Sequence, residues 1–408
     1  MGTIFTACYQ NIIRCMTYRF ARIKQKTEHI LLLPLVWLGR MIGMFYRIPN
    51  QGGIFLIFPN RDIGGSYKVN ADIARLMAAY KPLVIFTKKE HNGGLKPLYE
   101  VEGVNKLDIS KQVDNKYYHF LNVIWRGILA QWISQTDNPV VFGGECIYFY
   151  KLVPHVYKRA KCIELCHVNK WLNYTQAFAP MLHHRVFSTQ KVLRDHAAQY
   201  HEEGIPVSLK ERLVFIDNKI EIPDEHWEQH EHLQVLFVGR GSPQKRVHLV
   251  AAIAEKVKQI NPGIGFTLVG DVEALVPETI KPLVIIRTDI RNADMLKPVY
   301  RSHDILLLTS SFEGLPLVVM DMMAQGRVVV STAVDGIPDY IKHLENGMLI
   351  NAVTDEDEVI RQGVNIILQM EHNRHLVRKL SESARVFALA HFSSSAFDNA
   401  WLGLFGKK

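Results

Sequence analysis

Two carboxylates and two cations, each placed where a buried strand gives way to a helix, carry the chemistry this chain can do. The run Asp304-Ile-Leu-Leu-Leu-Thr309 reads as a buried strand, and Pro316 to Gln325 reads as the helix after it. Glu313 sits at the turn between them and Asp321 about two helical turns further on. Free backbone N–H groups at a helix start attract phosphate, and carboxylates accept hydrogen bonds from sugar hydroxyls. Upstream, Phe237-Val-Gly-Arg-Gly-Ser-Pro-Gln-Lys-Arg-Val-His-Leu249 has the same strand–loop–helix form, with Arg240 leaving the strand and Lys245 just before the helix. Two cations there can neutralise a diphosphate, the arginine in bidentate fashion. The set suits a nucleotide-sugar. Plainer readings stand beside it: Arg240 as a solvated loop cation, Glu313 as a helix cap, Asp321 as a polar face position. Among Leu317, Val319, Met322 and Met323, however, an unpaired Asp321 carboxylate is costly, and a ligand hydroxyl is one way to satisfy it.

The elements that must hold these groups alternate between apolar β-type runs and helix-type segments from about Gly52 onward, the pattern of parallel sheets covered by helices. Strands are expected at Gly53 to Phe58, Pro82 to Phe86, Pro139 to Phe142, Lys161 to Cys166, Arg185 to Phe187 and Arg212 to Ile216. A polar, Pro-containing break from Glu221 to His232 reads as a linker. A second series follows, with strands at Gln234 to Val238, Gly265 to Val269, Leu283 to Arg287, Asp304 to Thr309 and Val328 to Ser331. The fold class is α/β, with two doubly wound Rossmann-like domains expected to face a cleft. The domains expected are an arm over 1–50, a first domain over 51–222, a donor domain over 223–375, and helices over 376–408 crossing back to the first. Ligands of such sheets bind beyond the carboxyl ends of the strands.

The chain of 408 residues is 48% hydrophobic and 22% charged, an ordinary folded composition. Its five cysteines (Cys8, Cys15, Cys146, Cys162, Cys166) are odd in number and lack CxxC spacing, which points to reduced thiols in the cytoplasm and to no metal site. The net charge is +8. In residues 1–50, Arg14, Arg19, Arg22, Lys24, Lys26, Arg40 and Arg47 face only Glu28, leaving +6 there. Nucleic-acid binding is excluded by this placement, since the positive charge belongs to the arm and not to the folded body.

The arm also carries Leu31-Leu-Leu-Pro-Leu-Val-Trp-Leu-Gly39 and Met41 to Tyr46. Pro34 and Arg40 interrupt this apolar stretch, and the uninterrupted part is shorter than a bilayer span. No signal-peptide cleavage pattern follows it. Two arrangements remain open. Residues 1–48 lie on an anionic membrane surface, or they form amphipathic helices that pack on the protein's own body.

In their order along the chain, these motifs resemble the retaining glycosyltransferase family 4 (glycosyl transferases group 1), which has the GT-B fold. The resemblance covers Gly52 to the C-terminus. It is strongest from Val235 to Ile350, where Val269-Gly-Asp271, Gly336-Ile-Pro-Asp339 and Asn346-Gly-Met-Leu349 join the segments above. It implies donor contacts from Arg240 and Lys245 to the diphosphate and from Glu313 to the transferred sugar. It also implies backbone contacts from Gly314, Leu315, Pro316 and Leu317, and ribose contact from Asp321, where the family has glutamate. Arg246 replaces a family glycine and adds a third cation. In the first half, Gly64 and Gly65 of Asp62-Ile-Gly-Gly-Ser66 match the family's Gly-Gly donor loop. His167 takes the place of an active-site histidine, beside the plainer reading of a structural one.

The activity implied is metal-independent, retaining hexosyl-type transfer from a nucleoside-diphosphate sugar to an acceptor hydroxyl, with no cofactor. The expected acceptor is a glycan or lipid-linked molecule of cell-surface polysaccharide or glycolipid synthesis. The expected place is the cytoplasm, peripheral at the inner face of the membrane. The alternatives are a nucleotide-sugar-binding scaffold without turnover and a GT-B epimerase.

Overall fold

The computed structural model describes residues 17–46, 52–115, 117–144, 146–167, 172–223, 230–290, 293–314 and 316–407. Cys8, Cys15, Arg14, Arg47, Leu315 and most of the expected linker lie outside these residues. Contacts group the chain into two units, residues 1–216 with 398–408, and residues 217–397. Of the C-terminal segment expected to cross back, the part from Asp398 onward groups with the first unit.

The first unit is a seven-stranded parallel sheet in the order β3-β2-β1-β4-β5-β6-β7. Its strands are β1 (Ile54–Phe58), β2 (Leu83–Phe86), β3 (Asn105–Asp108), β4 (Val140–Gly143), β5 (Lys161–Cys166), β6 (His184–Phe187) and β7 (Leu213–Phe215). The central strands are buried along their whole length, as parallel strands covered on both faces must be, and this is why they read as unbroken apolar runs. Edge strand β3 is different. Its side chains alternate between half-buried and exposed, and the sequence Asn-Lys-Leu-Asp hides it from an apolar-run reading.

One long helix, α1 (Tyr18–Phe45), precedes the sheet and runs through Pro34 without a break. Pro34 is exposed, and Arg40 is absorbed by donating to the carbonyl of His155 at 2.9 Å. The inner face of α1 packs on α3 (His119–Ser134) by backbone contact; α2 (Gly65–Leu76) comes between them in the chain. A Cβ on Gly39 would stand 2.0 Å from the Ile124 carbonyl oxygen, and one on Gly127 would stand 2.1 Å from that of Val36. Only glycine allows helices to approach this closely. Glu28 pairs with Lys151 and Arg22 donates to the carbonyl of Ala177 at 2.8 Å, so the inner face is tied down along its length. Of the two arrangements open for the arm, packing on the body thus describes the inner face. The outer face stays exposed. The unit also contains α4 (Ile147–Val156) and α5 (Gln190–Glu202).

The second unit is a six-stranded parallel sheet in the order β10-β9-β8-β11-β12-β13. Its strands are β8 (Gln234–Val238), β9 (Gly265–Val269), β10 (Ile285–Arg287), β11 (Ile305–Leu308), β12 (Val328–Thr332) and β13 (Met348–Ile350). Its helices are α6 (Val247–Ile260), α7 (Ala293–Arg301), α8 (Leu317–Ala324), α9 (Glu356–His372) and α10 (Arg374–His391). The last helix, α11 (Ser394–Phe405), spans the division between the units. In α8, Val319, Met320, Met322, Met323 and Ala324 are all buried, so this short helix belongs to the core.

Candidate active site

Chain order turns around at β8, which has β9 on one side and β11 on the other. At such a switch point the loops leaving neighbouring strands diverge in opposite directions, and the carboxyl edge opens into a ligand crevice. The loop after β8 carries Arg240 and Lys245, and the loop after β11 carries Ser310 to Pro316. The topology therefore places Arg240, Lys245 and Glu313 on loops at one sheet edge, with Asp321 on the helix that follows.

Within it, Lys245 and Glu313 form an ion pair, their side chains 12% and 7% exposed. Ser310 donates its hydroxyl to the same Glu313 oxygen at 2.7 Å. The Glu313 backbone N–H donates to Asp335 at 2.9 Å, and Asp335 takes a left-handed backbone (φ 42°). Glu313 is thus fixed at both its main chain and its side chain. Among the described residues Lys245 has no other carboxylate partner.

The two loops are also laced together. Ser311 N–H donates to the Gln244 carbonyl at 2.8 Å, and the Gln244 side-chain amide donates to the Phe312 carbonyl at 2.8 Å. Arg246 corrects its expected role as a third phosphate-facing cation. Its guanidinium is buried and donates to the carbonyls of Thr309 (2.6 Å), Ser310 (3.0 Å) and Val353 (2.6 Å). Two of these carbonyls follow the end of β11 and the third lies 107 residues away from the arginine, so this arginine braces the loop.

Arg240 is exposed, and its side chain has no hydrogen bond or ion pair among the described residues. Its loop is held from behind. Gly241 N–H donates to Asp271 at 2.8 Å, and a Cβ on Gly241 would meet the Asp271 carbonyl oxygen at 2.2 Å. This explains the Val-Gly-Asp sequence after β9 as a buttress for the cation loop.

Helix α8 begins at Leu317 with Pro316 at its cap position and no side-chain cap. Its first N–H groups are left without the side-chain acceptor that usually satisfies them, a setting for an anion. Asp321 is half-buried, and Tyr300 is its neighbour. Burial, then the Asp321 charge and hydrogen bond, push the Tyr300 hydroxyl pKa well above its ordinary range. Asp321 therefore does not stand among apolar side chains alone, since its charge acts on the Tyr300 hydroxyl of α7.

His167, Gly64 and Gly65 lie in the first unit. His167 follows β5, is half-buried, and its Nδ1 is 2.9 Å from the Ser188 hydroxyl. Gly64 has extended backbone (φ 169°) and precedes α2, which begins at Gly65. The loop they close is anchored by buried Asp62, which accepts N–H bonds from His91 (3.0 Å), Asn92 (2.9 Å) and Gly93 (2.9 Å). Burial opposes the Asp62 charge, but those three N–H groups outweigh it and hold its pKa below the usual carboxylate range.

Sequence reasoning gave no role to Ser310, Asp335 or Tyr300, and none to Asp271 and Asp62 beyond their place in the Val269-Gly-Asp271 and Asp62-Ile-Gly-Gly-Ser66 motifs. Only Ser310, three residues before Glu313, left a local signal. The others act across 21 or more residues of chain separation (Asp335 on Glu313, for instance, across 22), and no spacing rule reveals them.

Residues 232–369 match the family model described as glycosyl transferases group 1. A D-inositol 3-phosphate glycosyltransferase of Corynebacterium efficiens is 31% identical over 166 residues, 35% of this chain and 38% of that protein. The lipopolysaccharide core biosynthesis glycosyltransferase LpsE of Rhizobium meliloti is 28% identical over 181 residues, 43% of this chain and 50% of that one. The matched regions thus span between a third and a half of these relatives' own length. Among solved structures, Anabaena HepE in complex with UDP superposes with a TM-score of 0.69 at 16% identity, covering 86% of this chain and 99% of that one. TarM superposes at 0.65 with 14% identity, covering 87% and 99%. Switch-point loops, two parallel α/β units and these likenesses agree: the chain has the GT-B fold, and its second unit is similar to the glycosyl transferases group 1.

Proposed function

We propose that this protein transfers a hexosyl group from a nucleoside-diphosphate sugar to an acceptor hydroxyl with retention at the anomeric carbon, as a member of glycosyltransferase family 4. The observation that carries the proposal is the Lys245–Glu313–Ser310 cluster at the β8/β11 switch point, next to the uncapped start of α8. UDP is the first nucleotide to test, because HepE was solved with UDP and with UDP-glucose.

In this reading the donor diphosphate takes Lys245 from Glu313 and adds Arg240, while the N–H groups of Gly314, Leu317 and their neighbours meet its oxygens. Glu313, released from the lysine and still held by Ser310, accepts from sugar hydroxyls. Asp321, next to Tyr300, takes the ribose. As the C1–phosphate oxygen bond breaks, negative charge grows on the leaving diphosphate, where fixed cations lower the barrier most. The acceptor oxygen bonds C1 from the same face, and its proton passes to the leaving phosphate oxygen. No metal is required in this scheme. The acceptor in this reading is a glycan or lipid-linked molecule. Reduced, buried Cys146, Cys162 and Cys166 support a cytoplasmic setting.

The test is release of nucleoside diphosphate from a panel of nucleotide-sugars, with and without glycan and lipid acceptors, and with EDTA. Turnover unaffected by EDTA, and dependent on Lys245 and Glu313, supports the reading. Tight binding of a nucleotide-sugar with no turnover on any acceptor would instead favour a binding scaffold.

A further inference from the structure

The outer face of α1 is uncovered among the described residues, and its composition is specific. Ile23, Ile30, Trp37, Met41 and Met44 fall at helical spacing on the side away from α3, and Leu31, Leu38 and Phe45 flank them. Leu31 is 73% exposed, Trp37 66% and Phe45 86%. From Ile30 to Phe45 this stripe runs about 22 Å at the helical rise. A single exposed leucine means little, but a continuous apolar stripe on a folded unit marks an interaction surface. The unit also exposes Tyr117, Tyr118 and Phe120 at the start of α3, the helix on which α1 packs.

Charge decides what covers it. The stripe itself bears no charge: Arg40 is turned to the His155 carbonyl, and Glu28, the sole acid of α1, is paired with Lys151. Toward the N-terminal end the exposed charges are Arg19 and Lys26. A cationic end, an apolar length, and aromatic rings with polar tips (Trp37, Tyr46) match an anionic lipid surface. The helix is long and apolar enough to cross a bilayer. Crossing is incompatible with its inner face, though, where Gly39 and Gly127 are in backbone contact and Arg22, Glu28 and Arg40 are bonded to the body.

We propose that α1 is a monotopic membrane anchor: its inner half is part of the first unit, and its outer half lies in the headgroup–acyl boundary of an anionic bilayer. The anchor is independent of the donor-site reading and stands whether or not the second unit transfers a sugar.

The experiment is co-sedimentation of the full chain with phosphatidylcholine vesicles, with and without phosphatidylglycerol. Wild-type protein is expected to bind the anionic vesicles. Leu31→Glu/Met41→Glu should weaken that binding roughly tenfold or more with unchanged circular dichroism. Arg19→Glu/Lys26→Glu should weaken it roughly tenfold on anionic vesicles alone, and added salt should do the same. Should the first variant fold poorly, brominated lipids provide the second readout. They should quench wild-type tryptophan emission, and Trp37→Phe should lose most of that quenching. Three results would overturn the proposal. The first is a wild-type protein that ignores both vesicle types. The second is resistance to alkaline carbonate extraction, the mark of a spanning helix. The third is a wild-type dimer that Leu31→Glu/Met41→Glu dissociates in the absence of any vesicle binding, the mark of a second copy on this face.

Discussion

Two ion pairs of low exposure, one in each unit, differ in what they can do. Arg185 and Glu164 stand on neighbouring strands β6 and β5, with side chains 1% and 0% exposed. Both are bonded to further polar side chains. Arg185 donates to Tyr200 (3.0 Å) and Thr175 (2.8 Å), and Glu164 accepts from Tyr150 and from the Cys166 thiol. Burial opposes both charges, yet their mutual attraction holds Glu164 below and Arg185 above their ordinary pKa ranges. Such a pair sits mid-strand, with no edge from which a ligand could arrive. Lys245 and Glu313 lie instead on loops past the strand ends, with Ser310 and Asp335 holding only the glutamate. A lysine with one partner at a switch point can exchange that partner for a phosphate. On the proposed function, position on the sheet, more than burial, separates a structural pair from a working one.

The largest effect expected from breaking this comparison is on stability in the first unit. Glu164→Ala leaves a buried guanidinium without its counter-ion, a loss of about 3–5 kcal/mol, read as a fall in chemical-denaturation midpoint. The paired change Lys245→Met with Glu313→Gln should alter stability by less than about 1 kcal/mol yet remove two to three orders of magnitude of turnover, about 2.7–4 kcal/mol of transition-state stabilisation. A next, smaller effect concerns Asp217, whose pKa burial raises to about 6, against the Tyr340 hydrogen bond (2.6 Å) and the His391 charge, which lower it. Its folded pKa exceeds the unfolded value, so the folded state binds the extra proton and stability falls as pH rises from about 4 to about 6. Asp217→Asn should flatten that slope and gain up to about 3 kcal/mol above pH 6, measured by denaturation across pH. The smallest change is Tyr300→Phe. Without the neighbouring hydroxyl, Asp321 should bind donor less well, raising KM a few-fold, about 1 kcal/mol, with kcat little changed.

Much of this was legible in the sequence where apolar runs and loop chemistry coincide. The buried strands β1, β2, β8, β9 and β11 stand where continuous aliphatic runs placed them, because strands covered on both faces have no polar side to show. Edge strand β3 was invisible for the converse reason, and α3 was passed over although it supports α1. The positions of Lys245 and Glu313 followed from strand–loop–helix order, but their pairing with each other did not. Arg246 illustrates the limit. A third cation beside two others reads as a phosphate ligand, and only the fold shows three carbonyls, one of them 107 residues away, consuming it. Pro34 misled in the opposite sense, since a proline on the exposed side of a helix removes an N–H without breaking the run.

The central claim is that the Lys245–Glu313 pair is the donor seat. Its most direct test is binding and turnover of UDP-sugars and their nucleotide analogues by wild type, Lys245→Ala and Glu313→Gln, each with its unfolding midpoint recorded. The account predicts that Lys245→Ala loses diphosphate affinity and turnover together, and that Glu313→Gln loses turnover by about 10²–10³-fold while still binding the free nucleoside diphosphate. Both variants transferring sugar at the wild-type rate, with folding intact, would contradict it.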